Sequence, residues 1–534
     1  MAAAGDTMYI SKVFFFLLVL VCLGGLVLAG GCRSAADRIQ VTSSPQTDGA
    51  YPELDDFIRQ KMADEDIPGL AVVIVQGDEI IYLKGFGVTS LSDPQPVTPQ
   101  TIFDLASISK SFTALGVLLL RDQGLIDLDA PVQQYLPEFQ LEDPEASRIT
   151  VRHLLNQTSG LPGNFSAPLI FQHGEDEFKE IVAAACRLRL NRQPGESFEY
   201  ADINYCLLGA LIERVSGMSF EDYMAQNVFR PLGMDNTTLY PDEAAALDRA
   251  NGHQPMYGRV ISRNMEIYRS ALPAGWVMSS AEDMGTWLIT HLNCGATTDG
   301  QVIPEEDIIE CQTAASQFEE NGQLTGYGMG WLSSCGDGVS LVWHGGDTPT
   351  FTTDMILLPE YDIGVAVMVN SQASTIGHSI APGVVNQLLE LDLAPMTVPW
   401  WAHWKTIDTI ATVALGPISL LFLGMGIYIW RLWRQFRRGE RFFIGSPLAA
   451  GIVPAWQLML YLALLLLLVL IFIASYLVVN TLYGYNPYEV LIMFHIAAPP
   501  GVYISGILTL VIVPLWALLL AGVALLTRGR AAMA

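Results

Sequence analysis

At 534 residues the chain is long enough for two or three domains, and its net charge of −26 argues against a nucleic-acid partner, because an acidic field repels phosphate. Hydrophobic residues make up 51% and the mean hydropathy is +0.35, yet the apolar residues are unevenly spread. Residues 401–534 hold eight Lys and Arg against three Asp and Glu, +5, which leaves −31 on residues 1–400: an acidic soluble part and a basic, oily tail.

In chain order, the first feature is the apolar run Val13–Gly31, preceded by Lys12 and ending in Leu28-Ala29-Gly30-Gly31-Cys32. This is the build of a secretory signal over residues 1–32, and its end resembles a bacterial lipoprotein box with Ala29 where an aliphatic residue is usual. Lipidation of Cys32, cleavage near Ala36 and an uncleaved anchor all stay open. Residues 33–50, rich in Ser, Thr, Gln and Asp, read as a tether.

A domain is expected over residues 51–395. Tyr51–Asp64 has helical spacing, and Gly69–Gln76 and Ile80–Phe86 read as a β-hairpin across Gly77-Asp78. The spacing turns helical from Ser107 to Asp122, with Gly124 as a stop, and residues 125–325 are mostly helical with Pro- and Gly-rich loops. Strands return at Val339–Trp343, Thr352–Leu358 and Ile363–Asn370, followed by a closing helix at Ile380–Leu391. Strands at both ends predict an α/β fold: one sheet assembled from the two termini, flanked by helices, with a helical subdomain inserted and the active site at the seam. Of the seven cysteines, Cys294, Cys311 and Cys335 fall in one region and can supply a disulfide; the odd count leaves the pairing open. With no CxxC, zinc-type Cys/His spacing or HExxH, neither a metal nor a cofactor is expected.

Residues 396–534 read as a membrane domain whose partner is the lipid bilayer. Three runs, 407–430, 457–479 and 502–527, are long enough to cross it as helices. The basic loop Arg431–Arg441 and the terminal Arg528 and Arg530 are expected on the cytoplasmic side, which places residues 33–400 outside, as the N-terminal signal also demands. That is the cytoplasmic membrane of a bacterium, with the soluble domain in the periplasm or at the cell surface. The spans hold one ionisable residue, Asp408, so they read as an anchor rather than a conduction path.

Three short motifs carry chemistry. In Ser107-Ile-Ser-Lys110 the two ends share a helix face, so the lysine amine can take the serine proton. In Tyr200-Ala-Asp202 a phenol beside a lysine ammonium is expected to have a lowered pKa and to relay protons. His344-Gly345-Gly346, at the end of a strand, reads alone as a turn, but its glycines also let a substrate backbone approach and an N–H complete an oxyanion hole.

In this order the motifs resemble the serine β-lactamases and the penicillin-recognising DD-peptidases and esterases. The resemblance runs from about Leu54 to Leu391 and includes Phe103-Asp-Leu-Ala-Ser-Ile-Ser-Lys110, His153-Leu-Leu-Asn-Gln-Thr-Ser-Gly-Leu-Pro162, Tyr327-Gly-Met-Gly-Trp331 and Val365-Ala-Val-Met-Val-Asn-Ser371. It implies a β-lactamase-like fold, Ser107 as nucleophile, Lys110 as proton acceptor and Tyr200 as general base and acid. It further implies backbone N–H groups of Ser107 and Asp347 as the oxyanion hole, with His344, Gly345 and Gly346 along the substrate. Three departures stand out. Asp202 replaces the usual Asn and adds negative charge near the acyl group, His344 replaces the usual Lys and is a weaker carboxylate anchor, and Gln157 replaces a common His with no evident catalytic cost. Together with a three-span tail, the outline resembles the prodrug-activating periplasmic peptidases of the colibactin-maturing type. The expected function is a membrane-anchored serine peptidase or amidase acting on a small-molecule or peptide substrate containing a D-residue. A β-lactamase or esterase is the alternative, and a penicillin-binding sensor without turnover is the alternative of a different class.

Overall fold

The computed structural model describes residues 51–163, 176–297, 300–320, 323–336, 338–372, 377–393, 404–439 and 441–443, with scattered positions from 501 to 529. The expected signal and tether lie outside the described residues. The chain divides into two compact units, one of residues 38–254 with 260–399, the other of residues 1–37, 255–259 and 400–534.

The larger unit is built on eight strands. Helix α1 (Pro52–Glu65) leads into β1 (Gly69–Gln76) and β2 (Glu79–Gly87), which turn through Gly77 at φ +61°, as the sequence predicts. The remaining strands come from the far end of the unit: β3 (Ser316–Glu320), β4 (Gln323–Tyr327), β5 (Leu332–Gly336), β6 (Val339–Asp347), β7 (Thr352–Leu358) and β8 (Ile363–Val369). Their order in the sheet is β2-β1-β8-β7-β6-β5-β4-β3, and each pairing is antiparallel.

The uninterrupted apolar runs of β1 and β8 follow from burial on both faces. Ala71, Val73, Val75, Ala366 and Met368 enter one core, while Leu70, Val72, Ile74, Val365, Val367 and Val369 enter another. Helix α1 and the closing helix α5 (Gly377–Leu389) cover the second core. The first core is filled by α2 (Ser109–Asp122), α3 (Asp202–Ser216) and α4 (Ala281–Leu292), which belong to the inserted helical part. Helix α2 is buried on nearly every side, the mark of a central helix.

Three expectations are corrected. Strand β6 continues to Asp347, so His344-Gly-Gly lies inside a strand and is not a turn. The closing helix starts at Gly377 rather than Ile380. Cys294 and Cys311 are free thiols, as are Cys186 and Cys206, so no disulfide joins Cys294 to Cys311.

In the smaller unit, helix α6 (Trp404–Arg437) carries a stretch Lys405–Gln435 of 31 residues, within which an 18-residue window has a mean hydropathy of 2.0. Among the described residues it is the one helix long and apolar enough to cross a membrane. Ile410, Val413, Phe422, Leu423 and Trp430 on it are exposed. Within this unit Asp408 accepts the backbone N–H groups of Tyr257 (2.7 Å) and Gly258 (2.5 Å), which satisfies its carboxylate. Arg441–Phe443 pair antiparallel with Thr527–Gly529. The expected span 457–479 and most of 502–527 lie outside the described residues.

Candidate active site

Ser107 sits in a 3-10 turn, Ala106–Ile108, just before α2. Ala106 has φ +50°, a left-handed conformation that costs an alanine about 1 kcal/mol or more. Several contacts hold it there. Ser109 Oγ donates to Ala106 O at 2.6 Å and accepts the Val277 N–H at 2.9 Å. Leu105 N–H reaches Val277 O at 2.8 Å, and Thr353 Oγ1 donates to Leu105 O at 2.7 Å. The two serines of Ser-Ile-Ser-Lys therefore differ. Ser109 is fully buried and structural, whereas Ser107 alone is partly exposed within an otherwise buried segment.

Lys110 is fully buried, and its Nζ meets three acceptors: Ser107 Oγ at 3.0 Å, Ala274 O at 2.6 Å and Asp202 Oδ1 at 2.7 Å. Three acceptors match the three N–H bonds of an ammonium. Nζ also lies 4.9 Å from the centre of the Tyr200 ring and 5.8 Å from that of Tyr205, within cation–π range.

Asp202 opens α3, and the segment before it is gripped by Gln157. Gln157, itself at φ +57°, accepts the Ala201 N–H at 3.0 Å and the Asn204 amide through its side-chain oxygen, and Glu199 N–H through its carbonyl. Ser159 Oγ donates to Asn204 Oδ1 at 2.7 Å. Gln157 thus shapes the Tyr200-Ala-Asp202 segment, a role its sequence position did not suggest.

Tyr200 is hydrogen-bonded to Ser107, yet its phenol is pushed well above the ordinary value. Burial is the first cause, and the Asp202 and Asp347 carboxylates add to it. This reverses the expectation of a lowered pKa: the carboxylate brought in by Asp202 lies beside the Lys110 charge, and the phenol stays protonated.

On β6, residues alternate between the two faces of the sheet. Gly346 faces the Ser107 turn, where a Cβ would stand 2.6 Å from Leu105 O and 2.9 Å from Ala106 Cβ. Only glycine lets the strand come this close, which is why two glycines occur in a strand interior. His344 on the same strand is buried, with Nδ1 2.6 Å from Gly345 O. Burial first and the Lys110 charge second push it down to about 3. The ring is therefore neutral, its proton sits on Nδ1, and Nε2 is left as an acceptor without a partner. A neutral acceptor is no anchor for a carboxylate, a correction to the weaker anchor expected.

Gly345 and Asp347 point to the other face. Asp347 Oδ2 lies 2.8 Å from His378 Nε2, and Thr352 Oγ1 donates to Asp347 Oδ1 at 3.0 Å. His378 escaped the sequence reading, since it precedes the helix start expected there and belongs to no motif. Among the described residues no group of three or more His, Cys, Asp or Glu is arranged to hold a metal ion.

The structure brings Ser107, Lys110, Tyr200 and Asp202 together, with His344 and Gly346 beside them. Comparison with known proteins identifies the family. The chain is 25% identical to Protein flp of Staphylococcus aureus (strain COL) over 78% of its own length and 82% of that protein. It is 28% identical to Penicillin-binding protein 4* of Bacillus subtilis (strain 168), over 57% of this chain and 68% of that one. Among solved structures, the octameric penicillin-binding protein homologue from Pyrococcus abyssi superposes with a TM-score of 0.56 at 29% identity, over 64% of this chain and 78% of that one. The Beta-lactamase family model matches residues 54–387, and the chain is a member of the beta-lactamase family of serine hydrolases.

Proposed function

We propose that the chain is a membrane-anchored, extracytoplasmic serine hydrolase that forms an acyl-enzyme on Ser107, and that its substrates are amides or peptides containing a D-residue. The observation that carries this is the buried Lys110 Nζ, 3.0 Å from Ser107 Oγ on a strained turn. In the reactive form Lys110 has released one proton to solvent; as Ser107 attacks a carbonyl, its proton passes to this neutral amine, and Asp202, 2.7 Å away, meets the ammonium that forms. Tyr200, still protonated, donates to the leaving nitrogen. The backbone N–H groups of Ser107 and Asp347 meet the developing oxyanion. Water then attacks the acyl-enzyme by the reverse route.

Substrate choice rests on charge. Lys110 is committed to Asp202 and His344 is neutral, so a substrate carboxylate finds no free cation at these residues. An internal amide suits such a cleft better than a β-lactam or a C-terminal D-peptide, both of which carry a carboxylate. The D-residue itself follows from the resemblance set out above, in keeping with relatives named as penicillin-binding.

The anchor reading is supported by α6 and by the pairing of Arg441–Phe443 with Thr527–Gly529. That pairing joins the two basic segments, so an even number of crossings lies between them. Spans at 457–479 and 502–527 meet this condition, and with α6 they leave residues 33–400 on the outer side.

Labelling with a fluorescent penicillin and with a fluorophosphonate, beside Ser107→Ala, tests the mechanism. Absence of any adduct on the native protein under both probes would overturn it. Turnover of an acyl-D-asparaginyl peptide, lost in Tyr200→Phe, is the result expected for the substrate reading. Turnover of penicillin in preference to that peptide would replace it with a β-lactamase.

A further inference from the structure

Behind the strand that lines the site lies a second cluster. His378, the second residue of α5, is buried, with Nδ1 2.9 Å from Asp354 Oδ1 and Nε2 2.8 Å from Asp347 Oδ2. Each ring nitrogen faces a carboxylate oxygen, and a carboxylate only accepts, so both nitrogens carry protons and the ring is an imidazolium. The two carboxylates outweigh burial and hold His378 well above its ordinary value.

The cluster grips a short piece of β6. Asp354 on β7 is the cross-strand partner of Gly345, and Thr352 is that of Asp347. A Cβ on Gly345 would stand 2.8 Å from His378 Cε1, so the imidazole lies directly against the strand backbone. One residue on, Gly346 touches the Leu105–Ala106 turn on the opposite face. The segment Gly345–Asp347 is thus held between the imidazolium behind it and the Ser107 turn in front.

We propose that His378 is a positioning residue: tied to Asp347 and Asp354, it fixes the Gly345–Asp347 edge at its distance from Ser107, so that the backbone donor at Asp347 is in place when the oxyanion forms. The proposal rests on the reading of Ser107 as nucleophile. A donor already aimed at developing charge needs no rearrangement during the reaction, and small displacements of such a group cost rate rather than substrate affinity.

The test uses the full chain in detergent. The rate of Ser107 labelling by a fluorophosphonate is measured, together with kcat and KM on p-nitrophenyl butyrate, for the native protein, His378→Gln and Asp354→Asn. We expect labelling and kcat to fall by about 10- to 100-fold in His378→Gln, short of outright loss of an oxyanion donor, with KM within about twofold. Asp354→Asn, which keeps an acceptor for Nδ1 but removes its charge, should give a smaller fall in kcat, again with KM held, and it carries the test if His378→Gln does not fold. Folded variants that label at the native rate would overturn the proposal, as would a rise in KM with kcat unchanged. A native protein that does not label overturns the nucleophile reading and this inference with it, whereas native labelling with unaffected variants overturns this inference alone.

Discussion

Ser109→Ala separates the structural serine of the Ser-Ile-Ser-Lys motif from the reactive one. The Ser109 hydroxyl accepts the Val277 N–H at 2.9 Å and donates to Ala106 O at 2.6 Å, in fully buried surroundings. Alanine leaves the Val277 N–H without an acceptor, a loss of about 1–3 kcal/mol. Ala106 O keeps the backbone N–H of Ser109 and loses only its second donor, about 1 kcal/mol more. The total, roughly 2–4 kcal/mol, lowers the thermal midpoint by about 3–6 °C for a domain of this size. The same bonds hold Ala106 at φ +50°, so the turn also relaxes and labelling of Ser107 slows. Ser107→Ala, by contrast, takes one acceptor from Lys110 Nζ at a partly exposed position where water can replace it, so it should shift stability by only about 1 kcal/mol while abolishing labelling. Thermal melts of the detergent-solubilised chain, paired with fluorophosphonate labelling, read both effects. A Ser109→Ala protein that melts and labels like the native one would refute the division of roles.

His291, packed between Trp287 and Trp331, is pushed down to about 3 by burial, below the ordinary value of 6.5. The unfolded chain therefore binds its proton first, and stability from this group falls as pH drops below about 6.5. His291→Phe should gain about 2 kcal/mol relative to the native protein between pH 7 and pH 5, and a pH-independent difference would contradict this. Gly346→Ala drives a Cβ into Leu105 O and Ala106, which costs about 1–3 kcal/mol and should slow acylation at least 10-fold. Labelling kinetics check it, and an unchanged rate would remove the close approach of β6 from the account. Asp202→Asn with His344→Lys should speed acylation by penicillin about 10-fold or more, read as fluorescent-penicillin labelling rate; no gain would argue that charge does not set the substrate class.

Strands β1, β2, β6, β7 and β8 were legible as apolar runs, and the motif residues because reactive side chains at close spacing stand out; β3, β4 and β5, short and rich in polar residues and glycine, were not expected as strands. What stayed hidden depends on partners distant along the chain. Ser109 binds a backbone 168 residues away, Gln157 one 44 residues away, and His378 two carboxylates 31 and 24 residues away. No local pattern reports such contacts. The His-Gly-Gly segment was read as a turn because glycine is poor in strands; the packing of Gly346 on Leu105 and Ala106 overrides that preference. The sign of the Tyr200 shift was missed for a related reason. The family resemblance implies Tyr200 near Lys110, but only the fold puts the Asp202 carboxylate on that lysine.

The two departures from the β-lactamase pattern that change charge act in one direction. Exchanging Asn for Asp at 202 adds a negative charge, and exchanging Lys for a neutral His at 344 removes a positive one. The change of two charges falls on the residues flanking Ser107, where protein surrounds the cleft and screening is weaker than in water. A substrate carboxylate some 7 Å from either position meets about 1–2 kcal/mol of altered interaction per charge at an effective dielectric of 20–40, which together is more than tenfold in binding. Neither exchange touches the Lys110–Ser107 contact at 3.0 Å. On the proposed function, acyl transfer and carboxylate recognition are separable: Ser107 and Lys110 stand in contact for the first, while Asp202 and neutral His344 supply no cation for the second. A substrate whose scissile amide is internal, with no carboxylate beside it, is the one for which that loss carries no penalty.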